Sequence, residues 1–432
     1  MTLNSGNWNQ ALDHAVVSDI GMRRANNQDS YSVQLASDRT LWHRRGHLFT
    51  VADGMGAHVA GEMASKLAAD NICLSYLKYA DLAPAVALFK AINDANDLIH
   101  RRGQSSEDFK GMGTTSTTLV VMPQHAIVGH VGDSRAYRLR GLHFDQLTFD
   151  HSLIWEMRAA GQLTDDQAIN FVPKNIITRS LGPNPSVQVD LEGPFPLQPG
   201  DTFLLCSDGL SGLVEDPEIG AILYCLPPKK AVRVLADLAN LRGGPDNITA
   251  IAVRVSDQQA LDAAPAETSD AAAAPAHQPV HPLIWTLLGA LTLASLALGL
   301  LSQWVPAAAS LLGAFATGIA ALVQRSRKVA QGPGALSGPL GRGPYTRCDC
   351  TPNVALVDRL AQVVQELDEA AKDGQWKIDW APFQQFRQRG AAAKKAGNLP
   401  QAVREQCDAI SFMMEQLRHA GGHSPNDSRV VP

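Results

Sequence analysis

No cysteine in this chain has an arginine six residues after it, so the Cys-x5-Arg loop that cradles phosphate around a thiolate is missing. The six cysteines (Cys73, Cys206, Cys225, Cys348, Cys350 and Cys407) do not form the dense framework of a secreted disulfide protein, which suits a reducing compartment. Cys348-Asp-Cys350 would be half of a zinc site, but no second pair of ligands completes it, and ordinary thiols are expected. No Lys/Arg block is long enough for nucleic-acid binding, and the net charge is only -5. The start of the chain lacks a basic-then-apolar signal, so the first domain is expected to remain in the cytosol.

At 432 residues the chain is too long for one ordinary domain. Residues 1–255 alternate short β-rich runs, such as 115–122, 126–130 and 202–206, with helical patterns near 61–77, 83–100, 153–160 and 230–240. The order lacks the strict β-α-β alternation of a doubly wound sheet. An α+β domain of two sheets with helices outside accounts for it. Residues 256–282, rich in Ala and Pro and free of Lys and Arg, read as a linker.

Residues 283–323 contain no Asp, Glu, Lys or Arg. As one helix they would span about 60 Å, twice a bilayer core. Ser302-Gln-Trp-Val-Pro306 interrupts them midway, so a hairpin of two transmembrane helices is expected. Arg325, Arg327 and Lys328 would hold its end on the cytoplasmic side, which places both flanking parts in the cytoplasm of a multi-pass inner-membrane protein. Residues 324–349 read as a Gly/Pro-rich linker. Residues 350–432 read as a small helical module, with small-residue spacing similar to one tetratricopeptide-type helix pair; a helical cap or partner-docking module is the equal alternative.

The chemistry centres on Leu48-Phe-Thr-Val-Ala-Asp-Gly-Met-Gly56, a buried strand that delivers Asp53 beside Gly54. Glycine lets a backbone carbonyl approach a hard cation where a Cβ would collide. Asp208, in Leu204-Leu-Cys-Ser-Asp-Gly-Leu210, repeats that arrangement. Asp246 precedes a strand in Gly243-Gly-Pro-Asp-Asn-Ile248, and Asp133 lies at a corner in Val131-Gly-Asp-Ser-Arg135. Four carboxylates without a His or Cys pattern describe an all-oxygen site for Mg2+ or Mn2+. Two such ions about 3.5–4 Å apart suit phosphate-ester hydrolysis. Arg24 could clamp the dianionic group.

In chain order, Gly21-Met-Arg-Arg-Ala-Asn-Asn-Gln-Asp-Ser30, the Asp53 stretch, Gly111-Met-Gly-Thr-Thr115, Val131-Gly-Asp-Ser-Arg135, Asp150-His-Ser152, Ile177-Thr-Arg-Ser-Leu-Gly182, Ser207-Asp-Gly-Leu210 and Gly243-Gly-Pro-Asp-Asn247 resemble the bacterial metal-dependent protein phosphatases, the type 2C serine/threonine family. The resemblance spans nearly all of residues 13–255 and none of the rest. It implies a four-layer α-β-β-α sandwich of two antiparallel sheets with the metals at one end. Asp53, the Gly54 carbonyl, Asp208 and Asp246 would bind two Mn2+ or Mg2+ ions, and Asp133 with Asp208 a third, looser one. Arg24 would grip the phosphate while a metal-bridged water attacks phosphorus directly. Residues 150–176 would form the flap beside the site. The implied substrates are phosphoserine and phosphothreonine proteins of the cytosol, and the implied counterpart is a serine/threonine kinase.

Three positions depart from the family pattern. Ala57 replaces a glycine, Gln28 stands where Glu is frequent, and Met55 stands where animal and plant members carry a leaving-group His. His58 is the candidate general acid, and a His that braces the loop is the equal alternative. The other histidines, His130 and His151 among them, are expected to be structural or on the surface. A catalytically silent phosphoprotein-binding relative is the competing reading; such proteins lose a metal carboxylate, and none is lost here.

Overall fold

The computed structural model describes residues 12–56, 59–162, 176–256, 340–376, 378–420 and 428–431, with a few isolated positions between 292 and 306. Two antiparallel sheets form its centre. The first has the order β12-β8-β7-β10-β11-β1-β13: Thr346–Asp349, His143–Gln146, Arg135–Arg140, Thr202–Cys206, Ile248–Val255, Leu12–Asp19 and Ser428–Val431. The second has the order β2-β3-β5-β6-β9: Asp29–Gln34, His47–Met55, Ser116–Val121, His125–Val131 and Asp190–Pro196. The short β4, Gly113–Thr114, pairs with β3.

The layering follows from side-chain alternation along each strand. On β3, Phe49 and Val51 face the apolar layer between the sheets, where β11 contributes Ile251 and Val253 and β5 contributes Leu119 and Val121. The alternate residues Leu48, Ala52 and Val120 pack outward against α2 (Val59–Lys78) and α3 (Pro84–Gly103). On the other side, Ile248, Ala250 and Ala252 of β11 pack under α6 (Asp216–Cys225) and α7 (Pro228–Leu241). Three helices remain: α1 (Arg39–Arg45), whose Trp42 stacks on His47 of β3, and, near the site, α4 (Leu153–Ala159) and the one-turn α5 (Asp208–Ser211). The expected α-β-β-α sandwich is thus present.

The C-terminal part differs from expectation. The described residues from 340 onward belong to the same compact unit as those of residues 12–256. The segment read as the end of a linker supplies β12, which pairs with β8 over Thr346↔Gln146 to Asp349↔His143. The open edge of β8 offers unpaired backbone groups, and this strand satisfies them. The helices α8 (Val354–Asp373), α9 (Trp380–Lys395) and α10 (Leu399–Ala420) share a single apolar core with α6 and α7 through Leu360, Val364, Phe383, Val403 and Ile410. A lone helix pair has no second surface to bury its apolar stripe, and α6 and α7 on the outside of the first sheet provide one. Arg418 reaches the fully buried Asp237 of α7 at 2.7 Å, and Arg404 donates to the Cys225 carbonyl at 2.6 Å. Among the described residues no helix is long and apolar enough to cross a membrane. The hairpin expected over residues 283–323 lies, a few positions apart, outside the described residues.

Candidate active site

Antiparallel pairing gathers five carboxylates at one end of the sandwich. β2 starts and β3 ends there, with Asp29 directly opposite Asp53. β6 ends there and β7 begins, so the corner between them presents Asp133; β10 ends just before Ser207-Asp208, and Asp246 leads into β11. Hydrogen bonds hold the Asp53 backbone: its N–H donates to Thr115 Oγ1 at 2.8 Å, and its carbonyl accepts from the Thr115 N–H at 2.9 Å. Gly54 is wedged between strands and helix: a Cβ there would lie 2.2 Å from the Gly61 carbonyl oxygen and 2.5 Å from that of Gln28. Asn247 ties the N-terminal loop to this end, accepting from the Gln28 N–H at 2.8 Å and donating to the Ile20 and Asn26 carbonyls.

The carboxylates raise one another's proton affinity. Burial, then Asp29, Asp208, Asp133 and Asp246, push Asp53 well above the usual carboxylate range. Burial, then Asp208 and Asp150, raise Asp133 to about 7. Asp29 also rises to about 7, chiefly through burial, against hydrogen bonds from Ser207 and Thr249 that favour its charge. Asp208 is raised by burial and then by Asp246, and its carboxyl lies within hydrogen-bonding reach of that of Asp53. Among the described residues no three acidic, histidine or cysteine side chains already close into a ligand set. Yet the buried oxygens Asp29 Oδ1, Asp133 Oδ1 and Asp208 Oδ1 accept no hydrogen bond. Unpartnered buried anionic oxygens facing like charge are what a hard divalent cation relieves, so the donor set fits Mg2+ or Mn2+.

A cleft of about 440 Å3 opens over this cluster, lined by Asp133, Asp208 and Asp246 with Arg24, Arg135, Arg158, Ile154 and Trp155. Arg24 donates to Asp246 Oδ2 at 2.8 Å and to the Pro245 carbonyl at 3.3 Å. Arg135 grips Asp150 through Nε and Nη2, the latter at 2.7 Å, and lies 5.7 Å from the Trp155 ring. All the expected metal-site residues (Asp53, Gly54, Asp133, Asp208 and Asp246) and Arg24 therefore meet at one end of the fold. His58 and Ala57 lie outside the described residues, as do residues 163–175 of the expected flap.

Asp29 was not singled out from sequence, although it sits inside the Asn27-Gln-Asp29 motif; only the β2–β3 register shows that it faces Asp53. His130 and His151 are structural, as expected. The His151 Nδ1 accepts the Gly132 N–H at 2.9 Å and its Nε2 faces Asp190 Oδ2 at 2.9 Å, while His130 Nε2 lies 3.0 Å from the Phe149 carbonyl. This pair braces the corner that presents Asp133.

An oxygen-only cluster at the mouth of a cleft, with arginines on its rim, defines a hydrolase that handles phosphate esters with divalent metal ions. The family described as Protein phosphatase 2C matches residues 22–242, and the chain belongs to it. Protein phosphatase PhpP of Streptococcus pneumoniae serotype 2 is 36% identical over 254 residues, 58% of this chain and 100% of the relative. Serine/threonine phosphatase stp of Listeria innocua serovar 6a is 36% identical over 244 residues, 55% of this chain and 93% of the relative. The crystal structure of the Mycobacterium tuberculosis serine/threonine phosphatase PstP/Ppp superposes with a TM-score of 0.50 at 32% identity, covering 57% of this chain and 99% of that one. The chain is a metal-dependent serine/threonine phosphatase, and the family works with Mn2+ or Mg2+.

Proposed function

We propose that this cleft hydrolyses phosphoserine and phosphothreonine esters of cytosolic proteins and so opposes a serine/threonine kinase. The observation that carries the reading is the convergence of Asp133, Asp208 and Asp246 on one cleft, with Asp53 close enough to feel the charge of all three and buried oxygens of Asp133 and Asp208 left unpartnered. Two bound Mn2+ or Mg2+ ions would supply an activated water and neutralise charge on the phosphoryl oxygens. Asp53, the Gly54 carbonyl, Asp208 and Asp246 would hold them, and Asp133 with Asp208 a third. Arg24, at the rim, would orient the phosphate by exchanging part of its contact with Asp246 for two phosphate oxygens. His58 would give a proton to the departing serine or threonine oxygen. The charge-free residues 283–323 support a membrane hairpin, with catalytic and C-terminal parts both in the cytoplasm.

Asp208→Asn tests the site. It keeps the shape but removes one anionic ligand, and should lower Mn2+-dependent hydrolysis of an aryl phosphate by roughly a hundredfold or more. Retention of most of that activity would refute the assignment.

A further inference from the structure

The family match ends at residue 242, yet the segment that follows residue 340 runs across the edge of both sheets. Leu340 N–H donates to the Gly193 carbonyl at 2.6 Å, and Gly343 N–H to Glu192 Oε2 at 2.9 Å, both on β9 of the second sheet. Tyr345 OH then donates to Glu192 Oε1 at 2.5 Å, and its N–H to the Gln146 carbonyl at 2.8 Å, on β8 of the first sheet. Glu192 is only 2% exposed, so this carboxylate depends on the segment for its partners. Arg347 adds an ion pair to the buried Asp145 at 2.6 Å. The contacts bind the segment to the fold along its whole length.

From Tyr345 a line of aromatic rings leads into the cleft. The Tyr345 ring meets Phe149 edge-on with centroids 5.5 Å apart, and Phe149 meets Trp155 edge-on at 5.4 Å. Trp155 stands on α4 and lines the cleft, where the Arg135 guanidinium lies over its ring at 5.7 Å from the centroid. Phe149 immediately precedes Asp150, the anchor of Arg135.

We propose that Tyr345 is a positioning residue for substrate: through Phe149 it sets the Trp155 wall of the cleft, and with it the fit of the polypeptide that carries the phosphate. The inference rests on the phosphatase reading of the cleft. Ile154, Trp155 and Arg158 of α4 line the cleft, so a phosphopeptide that reaches the carboxylates would pass along them, whereas a small aryl phosphate would need only the carboxylate end. Loss of the Tyr345 ring should therefore weaken peptide binding and spare the chemical step.

The full-length protein is assayed with Mn2+ on a phosphothreonine peptide and on p-nitrophenyl phosphate. Tyr345→Leu should raise KM for the peptide about fivefold, the scale of one lost edge-on aromatic contact, with kcat and aryl phosphate hydrolysis within about twofold of wild type. Tyr345→Phe keeps the ring, loses only the bond to Glu192, and should restore the peptide KM. Should Tyr345→Leu fold poorly, Phe149→Leu cuts the same line one contact nearer the cleft and must give the same split. An unchanged peptide KM in the folded variants, or a parallel loss on both substrates, would overturn the proposal. Wild-type protein inactive on both substrates would instead overturn the phosphatase reading itself.

Discussion

Gly54→Ala sets steric fit directly against function. The added methyl would lie 2.2 Å from one backbone oxygen and 2.5 Å from another, where ordinary contact begins at 3.4 Å. Both neighbours are main chain, one at the start of α2 and one in the turn before β2, so neither yields by a rotamer change. The end of β3 must retreat by about 1 Å, because close-packed surroundings transmit such a strain rather than absorb it. Overpacking of this kind costs about 1–3 kcal/mol, less than a domain's usual reserve of about 5–15 kcal/mol, so the variant stays folded. Activity suffers more. The displaced atoms are the Asp53 carboxylate and the Gly54 carbonyl, and a misplacement of about 1 Å at reacting groups costs roughly a hundredfold. Urea unfolding and Mn2+-dependent aryl phosphate hydrolysis on one preparation separate the two effects. Hydrolysis within about threefold of wild type would refute the steric account of Gly54.

Acid should weaken the fold through His47. Burial, then the neighbouring His14, lower it from an ordinary 6.5 to about 4, while its Nδ1 accepts the Ala36 N–H at 2.8 Å and its ring stacks on Trp42. The unfolded chain takes up this proton first, so the stability held by neutral His47 is whole above pH 6.5 and is lost as pH falls toward 4, by up to about 1.4 kcal/mol per pH unit. The gap in urea midpoint between wild type and His47→Asn should narrow over that window, and a constant gap would contradict it. For the hairpin, a reporter fused after Pro432 should be active in the cytoplasm; an extracytoplasmic reporter would remove the two-crossing topology.

The chemistry of the site was legible along the chain because each carboxylate carries its local context: an apolar strand before Asp53 and Asp208, a glycine after each, and a strand after Asp246. The sandwich was legible because strands such as β3 and β11 alternate between two apolar faces. Asp29 was not, since its role comes from lying opposite Asp53 in the β2–β3 register. Register between strands is a property of the pair and leaves no mark on either alone.

The C-terminal residues divide the same way. Helical spacing in residues 354–371 and 376–414 announced helices, but not the surface that would cover them. Thr346–Asp349 reads as the end of a Gly/Pro-rich stretch until the open edge of β8 lies beside it. From sequence alone come the residue types, their periodicity and the oxygen-rich chemistry, all set by neighbours within a turn or a strand. Tertiary structure alone decided that Tyr345 stands two ring contacts from the cleft and that Glu192 has a partner about 150 residues away, because such contacts exist only once packing brings distant segments together.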